Sequence, residues 1–145
     1  MRWSVLVLLL AAGCAVSPRP DVDAVPVESW ERVGVDEFNA RVEGAVADGA
    51  AWPASPLSVA LELLDGDAGA RHVTVDQRRN RAEAADTTTV VIARDGLLDD
   101  SVRGDWHRIV LRRLPDWTWR VHEARRAFRC QRGHHLESYS SEWCP

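Results

Sequence analysis

The run Trp-His-Arg-Ile-Val-Leu-Arg-Arg-Leu-Pro-Asp-Trp-Thr-Trp-Arg-Val-His-Glu-Ala-Arg (106–125) decides the class of fold. Ile109 and Leu111 fall on one face and Trp106 and Val110 on the other, the period of two that a pleated strand requires. Leu-Pro-Asp-Trp (114–117) then reads as a type I turn with Pro115 at its second position, where the ring already holds the required φ. Alternation resumes over 117–125 and groups Trp117, Trp119 and Val121. Two alternating runs around a tight turn predict an antiparallel hairpin.

Working outward, Thr-Thr-Thr-Val-Val-Ile-Ala-Arg (87–94) is a strand by its β-branched content. Asp95-Gly96 ends it as a turn, and residues 99–104 form a polar loop. His-Val-Thr-Val-Asp-Gln (72–77) is another alternating run, joined to the next by the charged connection 78–86. The segment Leu-Ser-Val-Ala-Leu-Glu-Leu-Leu (57–64) fits two periods. Leu57, Val59, Leu61 and Leu63 alternate, while Leu57, Leu61 and Leu64 share a helix face. The turn residues 65–69, leading into the strand at 72–77, favour a hairpin and therefore a strand. Upstream, residues 35–49 form the clearest helix, with Phe38, Val42, Ala45 and Val46 in one stripe. Asp36 is the expected N-cap, and Gly49 supplies a left-handed C′ residue. One amphipathic helix packed on a curved antiparallel sheet of about four to five strands is an α+β fold.

The chain ends in Cys-Gln-Arg-Gly-His-His-Leu-Glu-Ser-Tyr-Ser-Ser-Glu-Trp-Cys (130–144) and a proline. Cys130 and Cys144 can close a disulfide loop, the expected state outside the cytoplasm. The competing reading is zinc held by Cys130, His134, His135 and Cys144, which are ligands of the right types. Against it stand the adjacent histidines, whose side chains ordinarily diverge, and the missing Cys-x-x-Cys spacing. The disulfide is preferred, with no metal and no cofactor.

At the other end, Met-Arg-Trp-Ser (1–4) is a charged start and Val-Leu-Val-Leu-Leu-Leu (5–10) an apolar core too short to span a bilayer. Ala-Ala-Gly (11–13) precedes Cys14. The pattern resembles a bacterial lipoprotein signal, which implies cleavage before Cys14 and lipidation of its thiol. That accounts for the odd cysteine. Residues 1–13 are then the signal peptide, 14–27 a lipidated, proline-bearing tether, and 28–145 one domain.

Lysine is absent, and the formal net charge is −4 with its signs interspersed, so no basic footprint for nucleic acid is legible. His107, His122 and several serines coexist with many acids, but no nucleophile elbow, zinc-protease helix or phosphate loop is present. The candidate binding residues are Asp99, Asp100 and Arg103 in the polar loop, and Trp117 with Trp119 as a two-residue aromatic platform.

Gly-Leu-Leu-Asp-Asp-Ser-Val-Arg-Gly (96–104), Trp-Arg-Val (119–121) and Arg-Cys-Gln-Arg-Gly-His-His (129–135) with Cys144 resemble a group of uncharacterised bacterial secreted proteins and lipoproteins. The resemblance implies one fold unit over 52–144 and the paired cysteines; it carries no activity. By analogy of architecture, a helix on a curved sheet is similar to cystatin-like and nuclear transport factor 2-like folds. The expected function is a non-enzymatic, membrane-anchored domain outside the cytoplasmic membrane. It would be attached through its N-terminal lipid and would bind an envelope protein or cell-wall glycan. The alternative is a metal protein or hydrolase using His134, His135 and nearby carboxylates.

Overall fold

The computed structural model describes residues 25–65 and 69–145. The signal peptide expected over residues 1–13, the expected lipidation site Cys14 and the first part of the expected tether lie outside the described residues. The elements run β1 (Glu31–Val33), α1 (Asp36–Ala47), a 3-10 turn (Trp52–Ala54), α2 (Pro56–Leu63), β2 (His72–Arg79), β3 (Thr87–Asp95), β4 (Val102–Arg113) and β5 (Trp119–Cys130). The strands form one antiparallel sheet in the order β1-β5-β4-β3-β2. The α+β class agrees with the sequence reading; five strands are present because β1, which that reading did not foresee, joins the sheet, while the strand expected at 57–64 is a second helix.

Segment 57–64 departs from it. Residues 56–63 are helix α2, not a strand. Ser55 caps it, its hydroxyl accepting from the Ser58 N–H at 3.3 Å, and Pro56 occupies the first turn, where a missing N–H is harmless. Its buried stripe is Pro56, Val59 and Ala60, with Leu63 and Leu64 packed behind, while Leu61 faces out. An eight-residue apolar run carries too few periods to separate strand from helix; the cap and the proline in front of it decide.

Helix α1 forms as expected, but Val35 is its N-cap and Asp36 a first-turn acid, with no side-chain cap bond. At the far end Gly49 has φ +73°. Its N–H donates to Val46 O at 3.1 Å and Ala50 N–H to Ala45 O at 2.9 Å, a Schellman stop.

Both helices cover one face of the sheet. Phe38, Val42, Val59 and Ala60 meet Val90, Ile92, Ile109, Leu111, Trp119, Val121 and Ala124 there. Asn39 ties α1 to β5, donating to Val121 O at 2.9 Å and accepting from Val121 N–H at 3.0 Å.

The opposite face carries a smaller cluster, Val91, Trp106, Ala127 and Tyr139, with Val25 and Val27 against it. Residues 25–27, assigned above to the tether, therefore pack on the sheet. Tyr139 N–H donates to Pro26 O, and Glu28 N–H to Tyr139 O, each at 2.8 Å. The tail also pairs Ser140 with Phe128 in both directions, at 2.7 and 2.9 Å, beyond the point where β1 leaves β5. The outer edge of β5 is thus covered by β1 and then by the tail, which blocks edge-to-edge pairing there.

Gly104 lets the tail come this close. A Cβ on it would stand 2.6 Å from the Arg94 carbonyl oxygen and 3.3 Å from the Tyr139 hydroxyl. Gly104→Ala is therefore expected to destabilise the domain by about 1–3 kcal/mol through forced backbone displacement. Chemical denaturation would read it, and an unchanged midpoint would show the β3–β4 spacing to be loose.

Candidate functional site

Three constellations have the chemistry of a site. The first is the tail. Cys130 and Cys144 form a disulfide with Cα atoms 5.3 Å apart, as the sequence reading preferred. It sits in a pocket of Val102, Phe128 and Leu97, with Trp143 edge-on to Phe128 at 5.1 Å. The loop it closes is anchored by Cys130 N–H to His135 O at 3.1 Å and Gln131 N–H to Ser101 O at 2.7 Å. With both sulfurs bonded to each other, the four-ligand set Cys130, His134, His135 and Cys144 is not formed. The adjacent histidines do converge, contrary to expectation, and Glu28 and Glu142 flank His135.

The second is a buried ion cluster on the helix-covered face. Arg94 on β3 and Asp105 on β4 are directly opposed, and each side chain is only 8% exposed. Arg94 Nε donates to Asp105 Oδ1 at 2.8 Å, and its Nη2 meets Oδ2 in a second, parallel contact, the bidentate geometry a guanidinium favours. His107 Nε2 stands at ion-pair distance, 3.2 Å, from Asp105 Oδ2. Burial pushes the Asp105 carboxyl up, and the Arg94 bonds with the neighbouring His107 ring outweigh it, bringing the pKa to about 2. The cluster is structural in form: a carboxylate held ionised by a neighbouring cation makes a poor general base at neutral pH.

The third is on the other face. Register places Arg32 (β1), Arg125 (β5) and Arg108 (β4) side by side in one row across the sheet. Arg112 and Arg120 oppose each other in a second row. Like charges directly opposite destabilise a sheet, yet here they recur on either side of the intervening Val110–Glu123 pair. Glu123 partly offsets them. Arg125 donates to it, and that bond, with the charges of Arg32 and Arg108, holds the Glu123 carboxyl below its usual range. Arg125 also lies 3.8 Å over the Trp30 ring, a cation–π stack that pre-orients the guanidinium. Arg120, at the end of the sheet, reaches back to Glu43 of α1 at 3.4 Å, an exposed pair that turns this guanidinium toward the helix side.

The residues singled out from sequence do not gather. Asp99 is occupied in ordering its own loop, accepting from Ser101 N–H at 2.8 Å and Val102 N–H at 2.6 Å. Asp100 is exposed. Arg103 pairs with Asp95 at 3.6 Å. Trp117 and Trp119 do not form a platform. Trp117 has φ +69° and is 66% exposed, whereas Trp119 is 6% exposed and belongs to the core. The turn is longer than four residues: Leu114 N–H donates to Thr118 O at 2.8 Å, and the left-handed residue at 117 breaks the alternation. Trp117 stacks instead under Arg113, 4.3 Å from its ring centre. The loop expected over 99–104 is shorter, because Val102, Arg103 and Gly104 belong to β4; Asp99 and Asp100 precede and Trp117 follows this twelve-residue strand, about 36 Å long at 3.3 Å per residue.

Sequence reading missed the arginine rows, and it offered carboxylates near His134 and His135 without singling out Glu28 or Glu142. The only signal for the rows was arginine recurring along two neighbouring strands; its meaning depends on register, which composition does not contain. Fold and surface together define an α+β domain with helices on one sheet face, a disulfide-locked tail, and arginines concentrated on the other face. Compared with protein families, curated proteins and solved structures, the chain has no match. Among the described residues, no helix is long and apolar enough to cross a membrane.

Proposed function

We propose that this is a lipid-anchored domain, held outside the cytoplasmic membrane through Cys14, that binds an anionic cell-wall glycan on its arginine face without catalysing a reaction. The placement rests on the leader pattern, the resemblance to secreted bacterial proteins and lipoproteins, and the paired cysteines. The analogy with cystatin-like and nuclear transport factor 2-like folds belongs to the same reading, and the function is taken from the surface, not from that analogy.

The observation that carries the binding reading is the like-charged register. Arg32, Arg125 and Arg108 stand in one row and Arg112 with Arg120 in another, beyond the Val110–Glu123 pair, in a chain whose formal net charge is −4. Segregating cations on one face against the overall balance produces a local positive field. Guanidinium forks match the carboxylate and phosphate groups of acidic polymers.

The test is co-sedimentation of the protein with isolated cell walls across a salt series. Binding is expected to fall steeply as ionic strength rises. Replacing Arg32, Arg108 and Arg112 together by alanine is expected to weaken it about 10- to 100-fold, at roughly 0.5–1 kcal/mol per charge. Binding that ignores both salt and the triple substitution would end this reading. Binding to acidic envelope protein, but not to glycan freed of protein, would move the partner to the protein class.

A further inference from the structure

The loop closed by the disulfide brings a metal-ligating set together. His134, His135 and Glu142 each offer one ligand atom, and these atoms lie within 4.8 Å of one another. Adjacent side chains ordinarily point apart. Here Gly133 has φ +80° and His135 φ +51°, and the left-handed turn swings the two imidazoles onto the same side, ring centres 4.8 Å apart and tilted by 67°. A non-glycine residue in that region is held there by its surroundings, and such residues concentrate at functional sites.

His135 is the hub. Its Nε2 stands 3.2 Å from Glu142 Oε2 and its Nδ1 3.3 Å from Glu28 Oε2. Metal-ligating histidines characteristically rest their second ring nitrogen on a carboxylate, which fixes tautomer and orientation. Glu28 occupies that place from the opposite end of the chain. It is positioned because its N–H bonds Tyr139 O at 2.8 Å. His134 turns Nδ1 toward Cys130 Sγ at 3.9 Å, leaving Nε2 as its available donor atom.

We propose that His134, His135 and Glu142 form a divalent transition-metal site of zinc type, with Glu28 as the outer carboxylate on His135. Zinc bonds of 2.0–2.1 Å in a tetrahedron set neighbouring ligand atoms about 3.3 Å apart. The His135–Glu142 pair already has that spacing, and rotation of the His134 side chain brings in the third. Two imidazoles with one carboxylate favour zinc, copper or nickel over calcium and magnesium. Three protein ligands leave a fourth position to water. The set needs no thiolate, so it coexists with the disulfide. It is independent of the arginine face, whose wall-binding assay would be unaffected by its failure.

The test is zinc titration of the oxidised full-length protein in detergent, in competition with a chromophoric chelator, with cobalt absorption as a second readout. One ion per chain is expected, unaffected by thiol alkylation and by excess calcium. His134→Ala and Glu142→Ala should each weaken it about 100-fold or more, and Glu28→Gln about 10- to 100-fold. His122→Ala, on β5, should leave it unchanged. His134 and Glu142 are exposed, and near-ultraviolet circular dichroism would confirm that their variants keep the fold. The proposal is overturned by the absence of stoichiometric zinc, by binding that survives both alanine substitutions in folded protein, or by binding that appears only after the disulfide is reduced.

Discussion

Asp105→Asn is expected to destabilise the domain by about 3–5 kcal/mol, the cost of removing one partner from a buried ion pair. The Asp105 carboxylate faces the Arg94 guanidinium across β3 and β4, with each side chain 8% exposed. The asparagine keeps the shape but loses the charge that compensates a desolvated cation. Urea unfolding measures the loss, and a change below about 1 kcal/mol would show that water or other groups carry the compensation. Replacing both residues by apolar side chains of similar volume should recover most of the stability, because it removes the desolvation cost with the attraction.

The same pair predicts a specific acid limb. The Asp105 pKa falls from 3.8 to about 2 on folding. A carboxyl depressed in the native state contributes stability that is fully present above its unfolded pKa and lost as pH falls through the folded one. The contribution is roughly 2 kcal/mol, and it fades between about pH 4 and pH 2. Asp105→Asn should therefore flatten the stability profile in that window.

Cys130→Ser is expected to cost about 3 kcal/mol, the value for closing a loop of this length. The local consequence is larger than the number suggests. The disulfide anchors the segment carrying Tyr139, which covers Trp106, Val91 and Ala127, and Ser140, which pairs with Phe128. Freed, the tail exposes both the small core and the outer edge of β5. Thermal unfolding with and without reductant gives the comparison: reductant should lower the midpoint of the parent and leave that of the variant unchanged. Limited proteolysis should find new cleavage within 131–143. A parent midpoint indifferent to reductant would mean that the tail holds by its hydrogen bonds alone.

Much of this molecule was legible from its sequence, and in each case the deciding interactions are local or periodic. The strands around 87–94 and 106–113 are marked by β-branched and alternating residues, the stop of α1 by Gly49, and the hairpin by Pro115. The disulfide follows from two cysteines left over once Cys14 is assigned elsewhere. These features depend on a few neighbouring residues, or on a repeat that shows itself in one dimension.

What tertiary structure decided has a different physical origin. Segment 56–63 became helix because Ser55 and Pro56 start one and because Val59 and Ala60 find the sheet; its own apolar pattern suits both periods. Trp117 and Trp119 separate because one left-handed residue shifts the phase of the strand that follows. His122 is the extra residue of a bulge, with Leu111 opposite Val121 and Val110 opposite Glu123, so arginines on either side of it fall on one face. The row of Arg32, Arg125 and Arg108 joins residues from three strands, and the His134, His135 and Glu142 set needs both the disulfide and the turn at His135. Side-chain period is two, so a single inserted residue reverses a face. The sequence by itself determined the strands at 72–77, 87–94 and 106–113, where α1 stops and how the cysteines pair; only the folded chain made 56–63 a helix and 31–33 a strand and, through register and bulges, determined which charges meet.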